Sequence, residues 1–163
     1  SRWRLKNTPS VNLSRTTSPA FINRLVKEEV LGDLPLFYLD AHSGNNLPLL
    51  DELRNLAPLK KAIIIIDDFF IPGRKDFAYD FCNYNLDKIR PLDFELINPA
   101  LNSDYQYRFF YPRYTEKEAY ASKTIHEHLT GYLLILVNLE SQYLRWKQRS
   151  KLISLYEEFQ HHA

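Results

Sequence analysis

The stretch K61-A-I-I-I-I-D-D-F-F-I-P-G73 decides how this chain is read. Four consecutive isoleucines, residues 63–66, run into the adjacent carboxylates Asp67 and Asp68. A short aliphatic run bounded by charge and by Pro72-Gly73 reads as a buried strand. Upstream, Pro35-Leu36-Phe37-Tyr38-Leu39 is a second apolar run, and it too ends on a carboxylate, Asp40. Between them, Leu47, Leu50, Leu53 and Leu56 recur at helical spacing, with Asp51, Glu52 and Arg54 on the other face and Pro58 closing the segment. Strand, helix and strand form a βαβ unit, whose right-handed crossover makes the strands parallel. Parallel strands covered on both faces read as unbroken aliphatic runs, which accounts for the isoleucines without a functional explanation.

Working outward, Val11 to Arg15 alternates apolar and polar residues and predicts a short strand. Ser18 is the expected N-cap of a helix with Pro19 at its first position, Phe21, Ile22, Leu25 and Val26 on one face, and Gly32 as its end. Residues 70–103, rich in aromatics and carrying Pro72, Pro91 and Pro99, read as an irregular cap in which Asp87 to Arg90 forms a short helix. Residues 105–111 and 132–138 are predicted to pair as an antiparallel hairpin. From Glu140 a terminal helix is expected through residue 163.

The 163 residues suffice for a single domain with its own core. A charged fraction of 25% and an apolar fraction of 45% are ordinary for a soluble globular chain. The net charge of +1 gives no long-range attraction for nucleic acid or an anionic membrane. The single Cys82 excludes a disulfide framework and a cysteine-rich zinc site. No signal peptide follows Ser1, the apolar runs are too short to span a bilayer, and a cytoplasmic protein is expected. The chain has no methionine, not even at position 1, which reads as an excised part of a longer protein.

Ligands of open parallel sheets bind beyond the carboxyl ends of the strands. If the two strands are neighbours, their ends lie roughly 5 Å apart, and Asp40, Asp67 and Asp68 converge. Carboxylates that close call for a cation, a shared proton or solvent. Oxygen donors suit Mg²⁺, Ca²⁺ or Mn²⁺. His42, two residues beyond Asp40, is placed to act as ligand, base or substrate contact. The alternative is that these aspartates cap wet strand ends. His126-Glu127-His128 and His161-His162 read as solvated, and no Gly-rich phosphate loop, nucleophile elbow or Cys/His pair is present.

P35-L-F-Y-L-D-A-H-S-G-N-N-L-P-L-L-D-E-L-R-N-L56 followed by the 62–73 stretch resembles the second half of the class I S-adenosylmethionine-dependent methyltransferases, nearest to the metal-dependent O-methyltransferase and macrocin-methyltransferase-like group. The resemblance, over most of residues 10–140, implies a three-layer Rossmann-like fold lacking its first two strands. It implies Asp40, Asp67 and Asp68 as ligands of a divalent metal, Mg²⁺ or Mn²⁺, that lowers the pKa of a substrate hydroxyl. His42 would be catalytic. Asp40 and Thr17, which stands where an aspartate is expected, would lie on the cofactor side. The acceptor would be a small-molecule hydroxyl. The Gly-rich loop and first strands have no counterpart here, so a truncated chain without transferase activity is expected. The edge of the 35–40 strand would be open, and an oligomer would cover it. A non-catalytic binding or assembly module on the same fold, and a carboxylate-metal hydrolase, are the competing expectations.

Overall fold

The structure, a computed structural model, describes residues 11–40, 47–85, 88–115, 117–118, 129–149 and 156–159. At its centre is the expected βαβ unit. Strand β1 (Leu36–Leu39) lies parallel to β2 (Ala62–Asp67), with Leu36 beside Ile63 and Leu39 beside Ile66. Helix α2 (Leu49–Leu56) connects them, burying Leu49, Leu53 and Leu56, and Glu52 as well. Its exposed face carries the Arg54–Asp51 ion pair at 2.9 Å.

Helix α1 (Ser18–Lys27) packs on α2 and sends Ile22 into the core. Thr17 is its N-cap, so Ser18 lies one residue inside the expected boundary. The helix also stops short of Gly32, because Glu29 turns left-handed at φ 51°. The predicted strand at 11–15 does not form, and Leu13 stands 51% exposed. Alternating residues make a strand only where a sheet edge receives them, and this segment joins none.

Strand β5 (Tyr107–Pro112) and strand β6 (Tyr132–Val137) form the predicted antiparallel pair. β6 inserts between β2 and β5, antiparallel to both, so the open mixed sheet runs β1-β2-β6-β5. A short fifth strand, β7 (Tyr156–Phe159), extends the β5 edge. It replaces the last part of the expected terminal helix: α4 spans Glu140–Arg149 only. The free edge of β5 offers the 156–159 backbone a ladder, which helical spacing in the sequence could not disclose.

Burial corrects the expectation that the isoleucine run is covered equally on both faces. Ala62, Ile64 and Ile66 are buried, whereas Ile63 and Ile65 are half-buried. On β1, Phe37 and Leu39 are buried, whereas Leu36 and Tyr38 are exposed. One sheet face carries the main core with α1 and α2. The other is covered by α4, whose Tyr143 and Trp146 pack with Ile63, Leu134, Leu136 and Phe110 and leave β1 open.

The 70–103 cap has more regular structure than its prolines suggest. Strands β3 (Phe81–Asn85) and β4 (Lys88–Pro91) form a hairpin where a helix at 87–90 was expected; Asp87 itself lies outside the described residues. The one-turn helix α3 (Phe94–Ile97) follows, capped by Asp93, whose side chain accepts the Leu96 N–H at 3.0 Å. Arg90 holds that cap at 2.8 Å. Phe69, Leu92 and Ile97 anchor the cap in the main core. Among the described residues no helix is long and apolar enough to cross a membrane.

Candidate functional site

Continuing the β1–β2 register by one residue sets Asp40 beside Asp67, at the carboxyl ends of two parallel neighbours. Side chains alternate along a strand, so Tyr38 and Asp40 share a face, and Asp67 lies on that same side of β2. This is the face opposite the main core, where α4 does not reach β1.

The half-buried Asp67 is held by three neutral donors. Its Oδ2 accepts the Tyr38 phenol. Its Oδ1 accepts the Asp68 backbone N–H at 3.0 Å and the Thr130 hydroxyl at 3.4 Å. The chain then turns at Asp68 with φ 49°, a left-handed conformation that aspartate tolerates better than most residues. Backbone bonds fasten the turn. The Asp68 carbonyl accepts the Asp80 N–H at 2.9 Å, Phe69 N–H donates to Gly131 at 2.8 Å, and Phe70 N–H donates to Leu92 at 2.8 Å. Gly131 is required there, because a Cβ would stand 2.0 Å from the Phe69 carbonyl oxygen. Beside the turn, Phe70 meets Tyr79 edge-on at 4.8 Å between centroids, and Tyr79 meets Phe81 at 5.0 Å.

Tyr38 is the residue that sequence reading missed. Partial burial pushes its phenol well up from the ordinary tyrosine value; the hydrogen bond to Asp67 and the charges of Asp67, Asp40 and Asp68 add to the shift. All three aspartates therefore act on one hydroxyl. The signal was available: Tyr38 lies two residues before Asp40, on the same face of the strand. Reading the whole run as buried on both faces concealed it.

Of the other predicted residues that the structure describes, Thr17 does not join this cluster. Thr17 begins α1, its side chain makes no capping bond, and its carbonyl accepts the Phe21 N–H at 2.9 Å. His42, the 126–128 triplet and residues 161–162 lie outside the described residues.

The donor chemistry of the aspartates suits a hard divalent cation. Both Asp67 oxygens are engaged by protein donors. Among the described residues no group of three or more His, Cys, Asp or Glu side chains is gathered to hold a metal ion. Among the described residues no hydrogen bond or ion pair joins Thr17 to the aspartates. No chemical step below passes through either group.

A cleft of about 500 Å³ opens at the opposite end of the same strands, lined by Val26, Leu31, Pro35, Leu59, Lys60 and Lys61. It lies at the amino ends of β1 and β2, away from the edge where open α/β sheets bind ligands.

An open mixed sheet with helices packed on it, and with aspartates at the carboxyl ends of its two parallel strands, defines an α/β domain. No known protein-family model, curated protein or solved structure matches this chain.

Proposed function

We propose that the Asp40–Asp67–Asp68 cluster is the acceptor side of an S-adenosylmethionine-dependent methyltransferase-like domain and receives a small-molecule hydroxyl. One observation carries this reading: β1 and β2 are parallel neighbours whose register brings Asp40 and Asp67 together at their carboxyl ends. The antiparallel β5–β6 pair, which fits the hairpin that closes the sheet in the family this chain resembles, supports it. The cofactor, when bound to such a domain, supplies a methyl group on a sulfonium. The part left to this chain is to hold the hydroxyl. Asp40 is exposed and Asp68 half-buried, so both can accept a hydrogen bond from an incoming ligand. Asp67 acts behind them: it fixes Tyr38 and the turn at Asp68. The described residues assemble no donor side, so this chain by itself binds acceptor without transferring a methyl group.

Backbone amide shifts during a catechol titration test the reading. Changes centred on Asp40, Asp67 and Asp68, lost in Asp68→Ala, are expected. Changes centred on Leu31, Lys60 and Lys61 instead would move the site to the opposite cleft and end the proposal. Titration with Mn²⁺ separates a metal-assisted site from a metal-free one, since paramagnetic broadening around Asp67 would restore the cation. Calorimetry with S-adenosylmethionine is expected to show no binding by this chain.

The second reading, a non-catalytic binding module on the same architecture, draws on a specific observation. Asp67 spends both oxygens on protein donors, as a structural carboxylate does. Catechol binding that survives Asp68→Ala would favour it.

A further inference from the structure

β1 ends the sheet, and among the described residues β2 is its one neighbour. Open edges are normally guarded by lysine, by proline or by a bulge, because their unpaired N–H and C=O groups recruit other strands. Leu36–Leu39 contains no charge and no proline. Pro35 precedes it, but its carbonyl accepts the Ile63 N–H at 3.0 Å, so Pro35 faces β2 and guards nothing outside. Backbone groups alternate sides along a strand. Pro35, Phe37 and Leu39 therefore turn toward β2, while Leu36 and Tyr38 turn their N–H and C=O groups to the open edge. The same two residues are 59% and 57% exposed, and Leu34 is 39% exposed.

We infer that this edge is a self-association surface, on which two copies of the chain pair antiparallel through Leu36–Leu39 about a two-fold axis at Phe37. An isologous contact must be self-complementary, and this register is. Leu36 falls opposite the partner's Tyr38, and both residues of each such pair carry outward backbone groups, so each exchanges N–H···O bonds. The exposed Leu and Tyr side chains then meet as cross-strand pairs on one face. Asp40 falls opposite the partner's Leu34. Antiparallel pairing also sets the Asp40–Asp67–Asp68 end of one copy against the other's amino end, which bears Lys60 and Lys61 beside Asp33. A parallel, in-register pair would stack Asp40 on Asp40, and like charges directly opposite are destabilising. A foreign strand would satisfy the backbone equally, but it has no reason to match Leu36 with Tyr38 in both directions. The strand is short and the contact well below a standard interface of about 1,600 Å², so the dimer is reversible, with a Kd of about micromolar or weaker.

Sedimentation velocity over a concentration series tests this on the full chain. A dimer fraction that rises with concentration is expected, and Leu36→Lys should reduce it at least tenfold while far-UV circular dichroism stays unchanged. Leu36→Pro is the second variant. It removes an outward N–H and leaves the bonds to β2, so it should also yield monomer. In a Cys82→Ser background, mixing Leu36→Cys with Tyr38→Cys chains should give a mixed disulfide faster than either chain gives with itself. A monomer at every concentration overturns the inference, as does a dimer indifferent to both Leu36 variants. A monomer whose Leu36 and Tyr38 amides are nonetheless protected from exchange overturns it too, because another part of the chain would then cover the edge.

Discussion

Two polar clusters occupy the same face of the sheet, and they are built on opposite principles. At the β5 end, Arg108 grips Glu140 of α4 through two bonds at 2.6 and 2.7 Å, pairs with Glu158 of β7, and lies over the Tyr143 ring at 4.5 Å. The Tyr143 hydroxyl reaches Glu158 at 3.3 Å. A guanidinium meets carboxylates in fork geometry, and three elements are tied together. At the β1–β2 end, the donors to Asp67 among the described residues are neutral: the Tyr38 and Thr130 hydroxyls and a backbone N–H. The first cluster is complete and serves structure. The second fixes a carboxylate at the strand end with hydroxyls and a backbone N–H.

The largest test removes the support of the second cluster without touching an aspartate. Gly131→Ala drives a Cβ into the Phe69 carbonyl oxygen, a backbone atom that cannot swing aside. Overpacking of this kind costs about 3 kcal/mol, and thermal or denaturant unfolding measures it. A loss under about 1 kcal/mol would mean that the turn at Asp67–Asp68 is looser than its hydrogen bonds indicate. Next comes the complete cluster. Arg108→Ala leaves two carboxylates facing each other and removes the contact with Tyr143. With the Arg108 side chain 29% exposed, solvent screening limits the expected loss to about 2 kcal/mol. Hydrogen exchange should accelerate in β7 and in the facing β5 amides before β1 and β2 change. Uniform acceleration across the sheet would show that the network does not act locally.

How much of this was legible beforehand follows the range of the interactions. The βαβ unit was readable because its signals are local: apolar runs bounded by charge, a leucine stripe at helical spacing, and Pro58 after it. The β5–β6 pair was readable for the same reason. The strand at 156–159 was not, since it depends on β5 offering an edge and on Arg108, fifty residues upstream, reaching Glu158. The segment at 11–15 fails in the opposite sense: its alternation is real, but no edge receives it. At the site, Asp40 and Asp67 could be placed by counting residues. Their protein donors could not, because Tyr38 sits inside a run that looked uniformly buried and Thr130 comes from the far side of the chain.

Tyr38→Phe sharpens the contrast with a smaller effect. It deletes one neutral hydrogen bond to Asp67 and leaves the β1 backbone intact, so stability should fall by about 1 kcal/mol or less. The dimer fraction should not move, because edge pairing uses the backbone and the ring. A change in dimerisation as large as that of Leu36→Lys would show that the phenol, and not the edge, drives association.

Protonation gives the finest separation of the two clusters. Arg108 holds the Glu140 carboxyl below its ordinary value of 4.5, through the hydrogen bond first and the charge second. A carboxyl lowered in the folded state contributes stability that is present above its unfolded pKa and is lost as pH falls through the folded one. The Arg108 network should therefore weaken as pH drops below 4.5, with exchange rising first in β7. In Arg108→Ala that acid-dependent step should vanish. At the other extreme, burial raises the Tyr111 phenol from 10.0 to about 12, with the charge of Asp93 adding to it. A phenol raised in the folded state contributes stability that is present below pH 10 and lost as pH climbs toward 12. The part due to Tyr111 belongs to the main core and should persist in Arg108→Ala, whereas the Tyr38 phenol, which is also raised, adds an alkaline loss of its own that Tyr38→Phe should remove. An alkaline limb unchanged in Tyr38→Phe would mean that burial and the neighbouring aspartates do not hold the proton on that hydroxyl.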